Sequence, residues 1–359
     1  MPNPSFFEAR AFAEVDAAAI AANFRTVCAH CAKQAIAVVK ANAYGHGVRI
    51  AIPALAAAGC RFFAVATPDE ALEVRALVPF AEILVLGYTP PRRATELAAA
   101  RIAQTVFSAT YAAALAKETA LPLAVHIKID TGMCRLGFGC EDIAQTCAVF
   151  SQKPLYVSGV FTHFPCAESD PAQTKAQLLR FLRAKEKLPP VPLAHAAASA
   201  AALSLPQSVL DAPRVGLALY GISPVKDFTA LRPALQLCAP LVQIREVPAD
   251  TAVSYGGDFV TKAPARIGVL PCGYADGLRR SLQGMTVYLR HNGTEFPVPL
   301  CGRICMDQCM VDLTDTPAEV GDTVCLYKNV SEVAAHAATI PYEILSSISP
   351  RVERRRKDV

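Results

Sequence analysis

The sequence predicts an α/β protein with an N-terminal (β/α)8 barrel, residues 1–225, and a mostly-β C-terminal domain, residues 226–359. Three observations predict it. Short apolar runs ending at a polar residue or glycine recur, and Ala-rich helical stretches follow most of them. After about Tyr220 the helical periodicity fades. The chain has 359 residues, 53% of them hydrophobic, which is too long for one ordinary core yet apolar enough to fold throughout.

In order, the runs lie at residues 35–39, 62–65 and 83–86, with a weaker one at 105–107. Residues 123–129 are strong, and 157–161, 191–193 and 215–219 complete a set of eight. Continuous apolar strands alternating with helices indicate a parallel sheet covered on both faces. Eight such units fit a closed barrel. An open doubly wound sheet is the alternative, weakened because no G-x-G-x-x-G follows the first run. In the second domain, residues 235–247, 265–270, 285–289 and 323–327 read as strands, and 341–348 as a short helix. His291-Asn292-Gly293 reads as a hairpin turn, because Asn-Gly readily takes positive φ. The tail, 351–359, is strongly charged and reads as solvated, and the first ten or so residues are expected to pack with the C-terminal domain.

Bulk properties narrow the function. The formal charge is only +4, with no basic stripe, which argues against nucleic acid. Glu8, Glu14 and Asp16 interrupt the N-terminus, so no secretory signal is read, and Pro or charge breaks every long apolar run, so no membrane span is read. A cytoplasmic protein is expected. The 13 cysteines are scattered. Cys28 and Cys31 form a C-x-x-C without a second pair at zinc spacing, and Cys301, Cys305 and Cys309 recur in a strand-and-turn segment. They read as reduced, buried, small apolar residues, with no metal.

Reactive groups in such a barrel sit just past the C-terminal strand ends. Lys40 ends the first run in AVVKANAYGHG, and Lys128, Asp130, Gly132 and Arg135 cluster at the fifth. His163 ends the sixth, His195 and Ser199 follow the seventh, and Arg214 and Gly216 lie at the eighth. A lysine directly after five apolar residues either snorkels to the surface or is desolvated. A desolvated lysine has a depressed pKa and forms a Schiff base with an aldehyde. Ser199 reads as the N-cap of a helix, and loops after the last two strands often cradle phosphate. An aldehyde-binding lysine plus a phosphate cradle is the requirement set of pyridoxal phosphate (PLP). His163 alone reads as a rim or core histidine, Lys128 with Arg135 as a surface pair, and Tyr255 as a turn aromatic that needs a lowered pKa to serve as a base.

At these residues the chain resembles the alanine racemase family. AVVKANAYGHG, KIDTGMCRLG, THF, HAAASAAA, RVGLALYG, VSYGG, GYADG and GRICMDQ match family segments in order, over nearly the whole chain. The resemblance implies a PLP enzyme interconverting L-alanine and D-alanine, feeding cell-wall synthesis or D-alanine catabolism. It implies a head-to-tail homodimer in which the partner's C-terminal domain completes each site. Lys40 carries the cofactor, and Lys40 and Tyr255 are the two acid/base residues. Tyr44, Ser199, Gly216 and Leu217 hold the phosphate, Arg214 faces the pyridine nitrogen and His163 packs near the ring. Arg135 supports Tyr255, and Lys128, carbamylated to N6-carboxylysine, positions Arg135. Met306 and Asp307 line the substrate side, and Tyr274 and Arg303 the substrate corridor. The chain departs from the family's usual pattern at Cys134, at Pro350 and after Val352, where Glu353 follows. Three alternatives stand beside it: a PLP-binding barrel without turnover, against which the second domain with Tyr255 and GRICMD argues; a decarboxylase of basic amino acids, to which Cys305 and Cys309 point; and a broader racemase, to which Pro350 points.

Overall fold

A computed structural model describes residues 10–357 of the chain. The chain divides into two compact units, Ala18–Arg232 and a second made of Met1–Ala17 with Pro233–Val359.

The first unit is a barrel of eight parallel strands: Ile36–Val38, Phe62–Val65, Glu82–Val85, Ala103–Val106, Leu123–Asp130, Leu155–Phe161, Ala194–His195 and Arg214–Val215. The last of these pairs with the first, Arg214 opposite Ile36. Between the seventh and eighth, the Arg214 N–H donates to the Ala197 carbonyl at 2.9 Å, so the cylinder is nearly closed. Register follows the apolar residues: Phe63 lies opposite Ile83, and Ala64 opposite Leu84, all fully or almost fully buried. Local chemistry sets the helix starts. Before Pro68–Leu77, Thr67 and Glu70 form a reciprocal capping box with Pro68 in the first turn. Before Pro171–Glu186, Asp170 accepts the Gln173 N–H.

Two expected strands are displaced. The seventh lies at Ala194–His195 rather than 191–193, and the eighth at Arg214–Val215 rather than 215–219. At Gly216 the backbone turns (φ −116°, ψ −87°) and Leu217–Tyr220 becomes a 3-10 turn. Its apolar side chains are buried in that form, so the run carried no information about which element it belongs to.

The second unit is a nine-stranded sheet. Its order is Gln243–Val247, Ala265–Leu270, Cys309–Asp312, Thr294–Cys301, Thr286–His291, Thr323–Tyr327, Leu235–Pro240, Phe12–Val15 and Glu353–Arg356. Asn292 (φ 48°) and Gly293 (φ 79°) close the predicted hairpin, with His291 opposite Thr294. The predicted helix occupies Pro341–Ser346. The charged tail is not simply solvated. Glu353–Arg356 pairs in parallel with Phe12–Val15 as an edge strand, and the Arg354 guanidinium donates to the Ile348, Ser349 and Val352 carbonyls. An edge strand needs backbone partners on one side only, so charged side chains are tolerated there. Residues 358–359, and nearly all of the N-terminal segment expected to pack here, lie outside the described residues; Arg10 comes within 3.7 Å of Asp276.

All 13 cysteines are free thiols. Cys60, Cys238, Cys272, Cys301, Cys309 and Cys325 are buried as expected, but Cys134 is exposed and the others are half-buried. No helix among the described residues is long and apolar enough to cross a membrane.

Candidate active site

The first strand ends at Val38, and Lys40 lies two residues on. The chain then turns at some energetic cost. Ala41, Asn42, Ala43 and Tyr44 all take φ between 52° and 54°, a left-handed turn of four non-glycine residues. Each such residue costs about 1–2 kcal/mol. Hydrogen bonds hold the turn: Ala43 N–H to the Val39 carbonyl and Gly45 N–H to the Ala41 carbonyl, each 2.9 Å. The Ala41 N–H donates to Glu70 Oε1 at 2.7 Å, and Asn42 Oδ1 accepts the Val48 N–H at 2.9 Å. Glu70 Oε2 accepts from Ala66 and Thr67, so one carboxylate ties the end of the second strand to the Lys40 turn. Strain over-determined by its surroundings is typical of functional sites. Lys40 itself is half-buried. Burial and the Arg135 charge lower its pKa, against a smaller opposing pull from Glu70.

Along Leu123–Asp130 the side chains of His126 and Lys128 share one face, as a strand's period of two requires. Lys128 is only 4% exposed, which removes the surface-pair reading. Among the described residues no hydrogen bond or ion pair is recorded for its amine, which lies 6.0 Å from the Phe161 ring centre. Burial, then Arg135 and Arg214, lowers its pKa to about 8, with Asp130 opposing.

Arg214 is 3% exposed. Its guanidinium donates to four acceptors: His195 Nδ1 at 2.7 Å, the Thr162 carbonyl at 2.6 Å, the Ala196 carbonyl at 2.9 Å and His163 Nδ1 at 3.3 Å. Burial and Arg135 pull its pKa down to about 9, which leaves it protonated at neutral pH. Burial and the Arg214 charge, with smaller contributions from Arg135, Lys128 and Lys40, lower the pKa of His163 to about 3. His163 is therefore a neutral ring beside a fixed cation.

Ser199 does not cap its helix. It is the first residue of Ser199–Ser204, and its Oγ accepts instead from the N–H groups of Gly216 (3.2 Å) and Ala218 (3.4 Å). Gly216 has a steric reason to be glycine: a Cβ there would stand 2.5 Å from the Tyr44 hydroxyl oxygen. Tyr44 packs on Tyr220 with ring centres 5.0 Å apart. The Tyr44 hydroxyl, the Ser199 hydroxyl and the Gly216–Leu217 backbone thus converge, and Lys40, Lys128, Arg135 and Arg214 bring four cationic side chains to the same strand ends. This donor set matches an anionic, planar, hydrogen-bond-accepting guest, and the residues fit PLP.

The remaining predicted residues belong to the second unit. Tyr255 is 71% exposed and starts a tight turn in which Ser254 (φ 68°), Gly256 (φ 78°) and Gly257 (φ 64°) take positive φ. Ser254 Oγ donates to the Arg303 carbonyl at 2.6 Å, and Arg303 forms a two-pronged ion pair with Asp258. Tyr274 joins the same group through its N–H to the Cys305 carbonyl (3.0 Å), as does Ala275 through the Met306 carbonyl (2.9 Å). Met306 and Asp307 are exposed, and Asp307 accepts from Arg351 at 2.7 Å. Arg351 also reaches the buried Asp276 at 3.0 Å. Tyr255, Tyr274, Arg303, Met306 and Asp307 therefore sit on interlocked loops.

Sequence reasoning missed Glu70, Asp258 and Arg351, and gave His195 no role. Glu70 was legible as the last residue of the capping box TPDE. The other three reveal their work only through long-range pairing.

The chain matches the family models for the alanine racemase N-terminal domain over residues 15–224 and the alanine racemase C-terminal domain over residues 234–356. It is 37% identical to the alanine racemase of Desulfovibrio desulfuricans, over 97% of this chain and 98% of that protein. The crystal structure of the biosynthetic alanine racemase from Pseudomonas aeruginosa is similar at a TM-score of 0.86 and 37% identity, covering 97% of this chain and 99% of that one. That of the alanine racemase from Bartonella henselae, with covalently bound pyridoxal phosphate, is similar at a TM-score of 0.87 and 32% identity, covering 97% and 100%.

Proposed function

We propose that this chain, which belongs to the alanine racemase family, interconverts L-alanine and D-alanine with PLP held on Lys40, as a homodimer in which Tyr255 of one protomer serves its partner's barrel. The arrangement around Lys40 carries the reading: a lysine of lowered pKa on a clamped left-handed turn, beside a buried arginine and the Ser199–Gly216–Tyr44 cradle.

Lys40 would hold the cofactor covalently, and Tyr44, Ser199, Gly216 and Leu217 would hold its phosphate. When bound, PLP acidifies the Cα–H of the amino acid joined to it by delocalising the resulting charge. Arg214 is held by four acceptors and keeps its proton, so it would give the pyridine nitrogen a hydrogen bond rather than a proton. His163 would lie beside the ring as a neutral side chain. Racemisation removes a proton from Cα on one face and returns one on the other, so two groups are needed. The Lys40 amine serves one enantiomer and the Tyr255 hydroxyl the other. Lys128, part neutral near its pKa of about 8, adds carbon dioxide to form a carbamate and release a proton, and the resulting anion balances Arg135. Met306 and Asp307 would line the substrate side, with Tyr274 and Arg303 along its approach.

The test is incubation of the holoenzyme with L-alanine in D2O, following optical rotation and the Cα proton signal. Loss of rotation with deuterium at Cα is expected, falling by roughly 10²–10⁴-fold in Tyr255→Phe from the L side. Retained rotation with fully bound PLP would refute the assignment.

A further inference from the structure

A cavity lies at the N-terminal end of the barrel strands, the end opposite Lys40. Its volume is about 810 Å³, within the range of roughly 300–1,000 Å³ usual for small-molecule sites. Its wall is built from the first residues of the strands or those just before them, among them Ile36, Phe62, Ala103, Leu193 and Ala212. One polar side chain on its lining is almost fully buried: His126.

His126 is the end of a directed chain. Arginine can only donate, so Arg214 Nη1 donates a hydrogen bond to His195 Nδ1 at 2.7 Å. His195 is neutral, held far below its usual pKa by burial and Arg214, so its proton sits on Nε2. That nitrogen lies 2.9 Å from His126 Nδ1, which must accept. His126 is also neutral, with burial and Arg214 lowering its pKa to about 3, so its own proton sits on Nε2. Nδ1 is engaged by His195, so Nε2–H is the group His126 has to offer the cavity. The strand makes room for this ring: a Cβ at Gly159 would lie 2.5 Å from His126 Nδ1.

We propose that this cavity binds a small monocarboxylate with an apolar body, and that its occupancy is felt at Arg214. The carboxylate would accept from His126 Nε2–H while the body packs on Phe62 and Leu193. Arg61 and Arg101 on the rim supply positive charge. Glu82, exposed on the same rim, disfavours a second negative charge, and Asp211 is already accepting the Ala194 N–H at 2.7 Å. An acceptor on Nε2–H makes His126 Nδ1 a better acceptor, hence His195 Nδ1 as well, so Arg214 is held more tightly. Binding rests on the barrel alone; the coupling rests on the proposed contact of Arg214 with the cofactor.

The probe is 4-fluorobenzoate titrated into holoenzyme saturated with alanine, read by fluorine NMR and by racemisation kinetics. Saturable binding unaffected by alanine is expected, with affinity falling at least about ten-fold in the exposed-rim variants Gln34→Trp and Arg101→Glu and in His126→Phe. Saturation should change kcat by roughly two-fold with KM unchanged, and Gln34→Trp should keep basal activity while losing this response. Displacement of the probe by alanine, or undiminished binding to Gln34→Trp, would overturn the site. Binding through the cavity with kcat unchanged would overturn the coupling. The NMR arm is independent of catalysis, so it separates failure of the site from failure of the racemase reading.

Discussion

The residues around Lys40 and those around Tyr255 are built in opposite ways. In the barrel, Lys128 and Arg214 are buried, and the ionisable groups act on one another through little water: Lys40, Lys128, His163 and Arg214 are all shifted downward by burial and by neighbouring positive charge. In the β unit, Tyr255 stands in solvent on a turn held by the ion pair of Arg303 with Asp258. One region tunes protonation within its own walls; the other supplies a well-positioned side chain. In the shared-site reading proposed above, this exposed phenol would acquire its reactive surroundings from the partner's barrel.

Substitutions on the two sides should therefore separate. The largest effect is expected for Gly216→Ala, whose methyl group would displace the Tyr44 hydroxyl. PLP affinity should fall by at least about ten-fold, or about 1.4 kcal/mol, in a titration of apoenzyme. Unchanged affinity would mean that this cradle does not hold the phosphate.

Lys128 gives a pH-dependent effect. Its folded pKa is about 8, against about 10.4 for an unfolded lysine. Between these values the unfolded chain binds more protons, so the penalty of burying the amine is relieved as pH rises from about 8 to about 10.4 and is fully present below that window. In buffer free of carbon dioxide, Lys128→Met should have a higher Tm than the wild type near pH 7. The difference should shrink towards pH 10. A difference independent of pH would show that Lys128 carries no such penalty. Adding bicarbonate should narrow it at neutral pH if the carbamate forms.

Asp258→Asn should have the smallest effect. An exposed ion pair contributes about 0–1 kcal/mol to stability. Loosening the Tyr255 turn should lower kcat a few-fold while leaving PLP affinity untouched, and a loss of cofactor in this variant would break the contrast between the regions.

Legibility followed the length of the apolar pattern rather than the region. Strands buried on both faces announced themselves, as at Phe62–Val65 and Leu123–Asp130. The two-residue strands Ala194–His195 and Arg214–Val215 carry too little apolar pattern to be located from it. Glu353–Arg356 was unreadable because its place in the sheet depends on backbone pairing, not side-chain burial. Lys40 stood out as a charge after an apolar run, and Ser199, singled out as a phosphate candidate and as a helix cap, is not the cap: its hydroxyl accepts from the Gly216 and Ala218 N–H groups instead. The link from Arg214 to His195 and His126 joins residues up to 88 positions apart, from 126 to 214, and no local pattern encodes it.

The division of labour between the regions is tested most directly by a purified heterodimer of Lys40→Ala and Tyr255→Phe chains, each carrying a different affinity tag. In a shared-site dimer one site carries both substitutions and the other carries neither. The heterodimer is predicted to retain about half the wild-type activity on L-alanine, while both parent homodimers are nearly inactive. If Lys40 and Tyr255 act within one chain, both sites are damaged, and a heterodimer as inactive as its parents would contradict the account.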